Sequence, residues 1–138
     1  MPKLDIIHHA VKRALIKDGW LITDDPYIIQ YQKTVLYADL GAERPIAAER
    51  ADQKLVVEVK SFIGQSKIQD LKEALGQYDI YRYLLEETAP ERKLYIAVSE
   101  VSYRSFFIQD IAQLIIKKHP LSMIIVDLEM EEITQWIN

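Results

Sequence analysis

The sequence predicts an α/β protein in which a mixed β-sheet carries helices on both faces. Towards the C-terminal end, short apolar segments alternate with longer amphipathic ones, a pattern typical of parallel strands joined by helices. Residues 55–62 are apolar on both faces of a predicted strand, as expected for the middle of a covered sheet. No glycine-rich loop joins the first strand to a helix, which disfavours a Rossmann-type fold. The 138 residues are expected to form one domain, 1–138.

The N-terminal part is predicted to form one helix followed by short strands. Apolar residues recur at helical spacing between Leu4 and Lys17, and Gly19 stands where a helix C-cap is expected. Residues 20–23 and 27–29 favour strands on either side of a turn at Asp24-Asp25-Pro26. Residues 35–40 fit either a short strand or a turn. The predicted buried stripe of the helix consists of Ile7, Val11, Ala14 and Leu15.

A β-hairpin and two helix-strand units are predicted next. The hairpin pairs residues 46–50 with 55–62 across a polar turn at 51–54. Ser66 then caps a long helix that runs to about residue 87. The remaining segments are a buried strand at 94–98, a helix at 101–118 with Phe107, Ile111, Leu114 and Ile115 inward, a strand at 122–128 and a tail at 132–137 that pairs at a sheet edge.

Two charged side chains interrupt the most apolar strand. Glu58 and Lys60 are two positions apart, so both project from the same face. Burying two charges costs several kcal/mol unless they pair with each other or hold a metal ion. An E-x-K pattern suits metal-dependent phosphodiester hydrolysis, in which the carboxylate binds a divalent cation and the ammonium positions or activates water. A charge ladder on an exposed strand is the alternative, and the apolar neighbours on both faces weigh against it.

A second carboxylate is expected near Glu58. If the hairpin turn is centred on residues 52–53, Glu49 lies opposite Val56 and becomes a diagonal neighbour of Glu58. The two carboxylates could then share one cation. Asp39 and Glu43 are the other acids that could supply this ligand.

Composition excludes several other kinds of site. The chain has no cysteine, so disulfides, zinc-thiolate centres and thiol nucleophiles are excluded. No signal-peptide pattern and no apolar run of membrane-spanning length is present, so a cytoplasmic location with no membrane association is expected. The net charge of −4 argues against a broad, non-specific nucleic-acid binder but not against a metal-dependent nuclease. The adjacent His8 and His9 diverge by about 100° on a helix, which makes them poor joint metal ligands.

The order of elements and the E-x-K strand resemble the PD-(D/E)xK nuclease superfamily. That resemblance implies a restriction-endonuclease-like αβββαβ core, with Glu58 and Lys60 as the E-x-K pair and Glu49 as the second-strand acid. Superfamily members usually carry Asp at that last position. Gln77 and Tyr81 match the Q-x-x-x-Y pattern of RecB-like nucleases, and helical spacing puts them on one face. The resemblance implies that both support the active site.

Over nearly its whole length the chain resembles the XisH family, described as controlling factors for excision of the fdxN element in cyanobacteria. The matching segments are residues 17–26, 47–50, 58–62 and 74–78. The resemblance implies a Mg²⁺- or Mn²⁺-dependent endonuclease-like protein in programmed DNA rearrangement, with Glu49 and Glu58 as metal ligands. It also implies three partners: DNA, a companion protein named XisI and a recombinase. The alternative is an accessory factor that keeps the nuclease fold without turnover.

Assembly is also expected. Nucleases of this fold often act as dimers, and apolar residues at the C-terminal edge, among them Trp136 and Ile137, could form a pairing surface. The sequence therefore predicts a homodimer or a hetero-assembly. The alternative is that these residues pack onto their own sheet.

Overall fold

The computed structural model describes residues 4–44 and 53–138, which form four α-helices and eight β-strands. The helices are α1 (Leu4–Lys17), α2 (Lys67–Thr88), α3 (Glu100–Ser102) and α4 (Asp110–Lys118), and a π-helical turn spans Tyr103–Phe107. The strands are β1 (Leu21–Asp24), β2 (Tyr27–Tyr31), β3 (Thr34–Ala38), β4 (Leu40–Arg44), β5 (Gln53–Val59), β6 (Arg92–Ser99), β7 (Met123–Asp127) and β8 (Glu132–Ile137).

Six strands form one mixed sheet in the order β1-β4-β5-β6-β7-β8. The central strands β5, β6 and β7 are parallel, while β1, β4 and β8 run antiparallel to their neighbours. Strands β2 and β3 form a separate antiparallel pair, and β2 contacts α2. The predicted mixed sheet is therefore confirmed, and the segment at 35–40, which fitted either a strand or a turn, contains a strand.

Two apolar cores cover the two faces of the sheet. Alternation along β5 sends Val56 into one core and Leu55, Val57 and Val59 into the other. The first core contains the buried side of α2 and Ala112 of α4, and the second contains the buried side of α1. The expectation of helices on both faces is confirmed. Because β5 is covered on both sides from Leu55 to Val59, a charge on that stretch lies in a place where water is scarce.

The two long helices begin and end where the sequence predicts. Helix α1 buries the stripe at residues 7, 11, 14 and 15. It ends in a Schellman motif, in which Gly19 has a φ of +94° and the amide of Trp20 donates to the carbonyl of Leu15 at 3.0 Å. Helix α2 starts after Ser66, whose side chain accepts a hydrogen bond from the amide of Gln69 at 3.2 Å.

The predicted hairpin between residues 46–50 and 55–62 is wrong in its partner strand. The strand paired with β5 is β4, which places Gly41 opposite Val56 and Leu40 opposite Val57. The prediction had placed Glu49 opposite Val56, because it assumed a tight turn at 52–53. Glu49 itself lies outside the described residues. Continuing the observed register by one residue brings Asp39 level with Glu58.

The predicted third helix is interrupted. After α3 the backbone forms the π-helical turn, which carries more residues per turn than an α-helix, and Gln109 is extended before α4 begins. The interruption changes which side of the following helix faces the core. Ile111 and Leu114, predicted to point inward, are therefore 49% and 53% exposed, whereas Phe107 is fully buried as predicted.

The C-terminal tail forms the edge strand β8, as predicted. Ile133 and Trp136 pack against the core on the α1 side, and Ile137 packs against the core on the α2 side. These side chains are thus partly covered by their own sheet, in line with the alternative weighed against a pairing surface. None of the helices in residues 4–44 and 53–138 combines the length and apolar character needed to cross a membrane.

Candidate active site

Glu58 is a buried carboxylate near the C-terminal end of the central strand β5. It exposes only 9% of its surface and shares its face of the sheet with Val56 and Phe62, which belong to the α2-side core. The predicted placement of Glu58 and Lys60 on one face is confirmed, because the Lys60 Nζ lies 3.7 Å from the Glu58 Oε2. The backbone amide of Lys60 donates to the carbonyl of Ala97 in β6 at 2.9 Å, which fixes where the strand ends.

Asp39 is the acid that lies beside Glu58. It connects β3 to β4, and its backbone amide donates to the Glu58 Oε1 at 3.1 Å. In return, the Asp39 Oδ2 accepts a hydrogen bond from the backbone amide of Val59 at 2.7 Å. This reciprocal pair of bonds holds the two carboxyl groups together at the junction of β4 and β5. Asp39 is one of the three acids that the sequence offers for this place.

The ionisation of Glu58 is strongly perturbed at this position. Burial and the neighbouring Asp39 raise the pKa of Glu58 from 4.5 to about 8, with Lys60 acting in the opposite direction. A carboxyl in this position therefore binds a proton at neutral pH unless another positive charge replaces it. Perturbation of this kind by burial and a specific partner is typical of functional sites.

The two other candidate acids are Glu43 and Glu49. Glu43 accepts a hydrogen bond from Arg92 at 3.1 Å and lies 3.9 Å from the Nζ of Lys54. Glu43 faces Lys54 across the β4-β5 pair, and Lys54 lies four residues before Glu58 on β5. The contacts of Glu43 are therefore away from Glu58. Glu49, the acid preferred from the sequence, lies outside the described residues.

Gln77 and Tyr81 are brought together on α2, as their spacing predicts. The Gln77 Nε2 donates to the Tyr81 hydroxyl at 3.0 Å, and that hydroxyl donates to the carbonyl of Tyr37 at 2.8 Å. Tyr81 therefore ties α2 to the end of β3, two residues before Asp39. Burial and the nearby Glu58 raise the pKa of the Tyr81 hydroxyl, which keeps it protonated and able to donate.

An open groove runs from Lys60 along α2. Its volume is about 490 Å³, and Leu36, Glu73 and Ile80 line it together with Lys60 and the Gln77-Tyr81 pair. The Gln77 Oε1 is buried and has no hydrogen-bond partner among the described residues.

His8 also approaches this site, a contact that sequence reasoning missed. His8 on α1 contacts Asp25 through its Nε2 at 3.0 Å, and its Nδ1 lies 3.8 Å from the Asp39 Oδ1. Lys12, one helical turn further on, binds Asp25 at 2.7 Å and holds the pKa of that carboxyl below its usual range. Only one of the adjacent histidines is involved, as their divergence on the helix implies. The sequence signal that could have revealed this contact is the Asp24-Asp25-Pro26 turn, which follows the helix that carries His8.

A divalent cation fits the pair formed by Asp39 and Glu58. Mg²⁺ prefers oxygen ligands and is commonly held by one or two carboxylates with water completing its shell. A cation would also relieve the repulsion that raises the pKa of Glu58. Within residues 4–44 and 53–138 no group of three or more His, Asp or Glu side chains converges on one point. The described donor set is therefore a two-carboxylate site.

Fold and site together define a mixed α/β protein with an acid pair and a lysine at the end of its central strand. A family model described as XisH protein matches residues 1–134, and the chain belongs to the XisH family. It is also similar to the crystal structure of an XisH family protein from Nostoc punctiforme PCC 73102, with 42% identity and a TM-score of 0.87. That match covers 97% of this chain and 100% of the other.

A second solved structure agrees with the first. It is described as an fdxN element excision controlling factor protein from Anabaena variabilis, and it is 44% identical with a TM-score of 0.85. The match covers 97% of this chain and 99% of that one. Among curated proteins the chain has no match. The resemblance to the XisH family drawn from the sequence is confirmed.

Proposed function

We propose that this protein is a Mg²⁺-dependent endonuclease-like protein that acts in DNA excision, built on a restriction-endonuclease-like core. The observation that carries the proposal is the arrangement of Asp39, Glu58 and Lys60 at one end of β5. Two carboxyl groups are held together by reciprocal hydrogen bonds, and an ammonium lies 3.7 Å from one of them. The description of the Anabaena variabilis protein as an fdxN element excision controlling factor supports the excision role.

Each residue has a proposed part. Asp39 and Glu58 would hold Mg²⁺ or Mn²⁺, and Glu49 remains a predicted further ligand. The bound cation would supply a Lewis acid that stabilises negative charge on a phosphodiester. Lys60 orients or activates water beside the scissile phosphate. Gln77 and Tyr81 keep α2 in place against the strand that leads to Asp39.

A cleavage assay tests the proposal. Purified protein is incubated with linear, nicked and branched DNA in Mg²⁺, in Mn²⁺ or in EDTA. Asp39→Asn, Glu58→Gln and Lys60→Ala should each lower the rate by about a hundredfold or more, because each removes charge from the reacting centre. Glu87→Gln, an exposed carboxyl on the far part of α2, is the matched control. Glu49→Gln, assayed beside Asp39→Asn, shows which acid the reaction needs.

Absence of metal-dependent cleavage on all three substrates would contradict the nuclease proposal. So would activity that survives both Glu58→Gln and Lys60→Ala.

One observation favours a second candidate, a DNA-binding or partner-binding accessory factor without turnover. Lys60 already pairs with Glu58, and in the described residues only two carboxyl groups meet there. Calorimetry with Mn²⁺ separates the two candidates. Uptake that depends on Asp39 and Glu58 supports the enzyme, whereas an ion pair without measurable metal affinity supports the accessory factor.

Partners and assembly form part of the proposal. We expect the protein to act on DNA in the cytoplasm with the companion protein XisI and a recombinase, as a homodimer or a hetero-assembly. An acidic chain with a net charge of −4 gains little DNA affinity from its own charge, so a partner that adds phosphate contacts would strengthen binding. Light scattering at micromolar concentration, with and without the companion, tests this. A strict monomer that ignores the companion would contradict it.

A further inference from the structure

Helix α4 carries apolar side chains on its exposed side as well as on its buried side. Ala112 is fully buried in the core on the α2 side, and Ile115 and Ile116 pack against that core while partly buried. Ile111 and Leu114 lie outside it, with 49% and 53% of their surface exposed. The apolar arc of α4 is therefore wider than the face that the core covers.

More apolar surface is exposed in the segment that leads into α4. Ile108, two residues before the helix, is 60% exposed, and Val101 of α3 is 77% exposed. Single exposed apolar residues are common on protein surfaces, whereas a group of them in one segment is typical of an interaction surface. Ile108, Ile111 and Leu114 recur at intervals of three residues, and we call them the α4 patch.

The two ends of α4 carry opposite charges. Asp110 is the first residue of the helix, and Lys117 and Lys118 are the last two. All three are exposed, and none forms an ion pair within residues 4–44 and 53–138. These charges suit the helix dipole, and they also make the exposed face acidic at one end and basic at the other. Leu114 is the middle residue of the helix, so the apolar centre lies halfway between the charges.

A second copy of this chain matches this pattern. If two α4 helices pack antiparallel about a two-fold axis at Leu114, each Leu114 meets its equivalent in the other copy. Asp110 and Lys118 are each four residues, or about 6 Å, from that axis. Asp110 of one copy therefore lies level with Lys118 of the other, and the axis repeats this contact. Parallel helices would instead place like charges side by side.

We propose that the exposed face of α4 is a two-fold interface with a second copy of this chain. Burial of the α4 patch drives association, and the two contacts between Asp110 and Lys118 set the antiparallel direction. Two nine-residue helices bury less surface than a standard stable interface, so the dimer is expected to be reversible. The assembly proposed above left both its face and its occupant open. None of the α4 patch lines the groove beside Lys60, and the interface does not depend on nuclease activity.

Sedimentation velocity at low and high micromolar concentration, in EDTA, measures the dimer. The wild type should shift from monomer to dimer as its concentration rises. Leu114→Glu should raise the dissociation constant by about tenfold or more, because it buries an unpaired charge at the centre of the interface. Ile16→Glu, at a residue of α1 that is 52% exposed, is the matched control and should leave the constant unchanged. Urea unfolding of dilute protein checks that both variants are folded.

Charge reversal tests the antiparallel direction. Asp110→Lys and Lys118→Asp should each raise the dissociation constant by about tenfold or more, because each turns two attractive contacts into repulsive ones. An equimolar mixture of the two variants should dimerise again, since opposite charges then meet at both contacts of the mixed dimer. Asp5→Lys, in the first turn of α1, is the control for a reversed charge at the start of a helix.

Three results would overturn the proposal. The first is a monomer at every concentration, and the second is a dimer that Leu114→Glu leaves intact. The third is a wild type that dimerises while the mixture of charge-reversed variants does not. Association with the companion protein alone would contradict this interface and leave the assembly proposed above in place.

Discussion

Glu58→Gln should make the protein more stable at alkaline pH than the wild type. The pKa of Glu58 is raised from 4.5 to about 8, because the carboxylate is buried and lies beside Asp39. Below pH 4.5 Glu58 is protonated in both the folded and the unfolded chain, so it does not lower the free energy of unfolding there. As the pH rises from 4.5 to about 8, the unfolded chain loses this proton first and the free energy of unfolding falls. Glutamine carries no charge and avoids this loss.

The size of the effect follows from the shift. One unit of pKa corresponds to about 1.4 kcal/mol, so a shift from 4.5 to about 8 sets an upper value of roughly 5 kcal/mol. Residual solvent contact reduces it, and a gain of about 2 to 4 kcal/mol at pH 9 is expected. The amide oxygen introduced by Glu58→Gln can still accept the hydrogen bond from the Asp39 amide. At pH 5 the two proteins should differ by less than about 1 kcal/mol.

The measurement is urea unfolding followed by circular dichroism between pH 5 and pH 9, in EDTA. Glu87→Gln, an exposed exchange of the same kind on α2, is the control for the substitution itself. Added Mg²⁺ at pH 8 should stabilise the wild type and not Glu58→Gln, since a ligand that binds only the folded state raises its stability. A stability difference that does not grow with pH would refute the assignment of a buried, proton-binding carboxyl to Glu58.

Two further predictions concern the scaffold, and urea unfolding measures both. Gly76→Ala should raise the free energy of unfolding by about 0.5 to 1 kcal/mol, because Gly76 lies in α2 with nothing within 4 Å of an added Cβ. Gly19→Ala should lower it by about 1 kcal/mol, because Gly19 has a φ of +94° that a side chain disfavours. Phe107→Ala should lower the free energy of unfolding by about 3 to 5 kcal/mol, because the ring is fully buried. Leu114→Ala, on the exposed side of α4, should change it by less than about 0.5 kcal/mol. Equal losses would contradict the rotation of the α4 face that follows the π-helical turn.

Local patterns were sufficient to predict the elements that carry the site. Alternation of side chains placed Glu58 and Lys60 on one face of a covered strand, and helical spacing joined Gln77 to Tyr81. Capping residues marked the end of α1 and the start of α2 because Gly19 and Ser66 act within one turn of backbone. Each of these inferences depends on residues a few positions apart.

What the sequence did not predict depends on longer-range geometry. Strand β5 pairs with residues 40–44, and residues 45–52 separate the two strands in the sequence, a spacing that no short motif indicates. A tight turn at 52–53 was therefore assumed, and Glu49 was preferred over Asp39. The contact from His8 to Asp25 and Asp39 crosses from α1 to two separate turns, so it could only be seen in three dimensions. The π-helical turn was missed for a different reason, since its apolar residues also fit an unbroken helix.

The register has a chemical consequence. Leu40 lies opposite Val57, so Asp39 comes level with Glu58 at the point where β5 is covered by both cores. Burial and the neighbouring Asp39 raise the pKa of Glu58 to about 8, and Lys60 compensates only in part. The pair must therefore take up either a proton or a cation. Metal binding should release that proton, so its affinity should increase with pH up to about 8, where Glu58 ionises without help. A metal affinity that stays constant between pH 5 and pH 8, measured by calorimetry with Mn²⁺, would contradict this coupling between the proton and the cation.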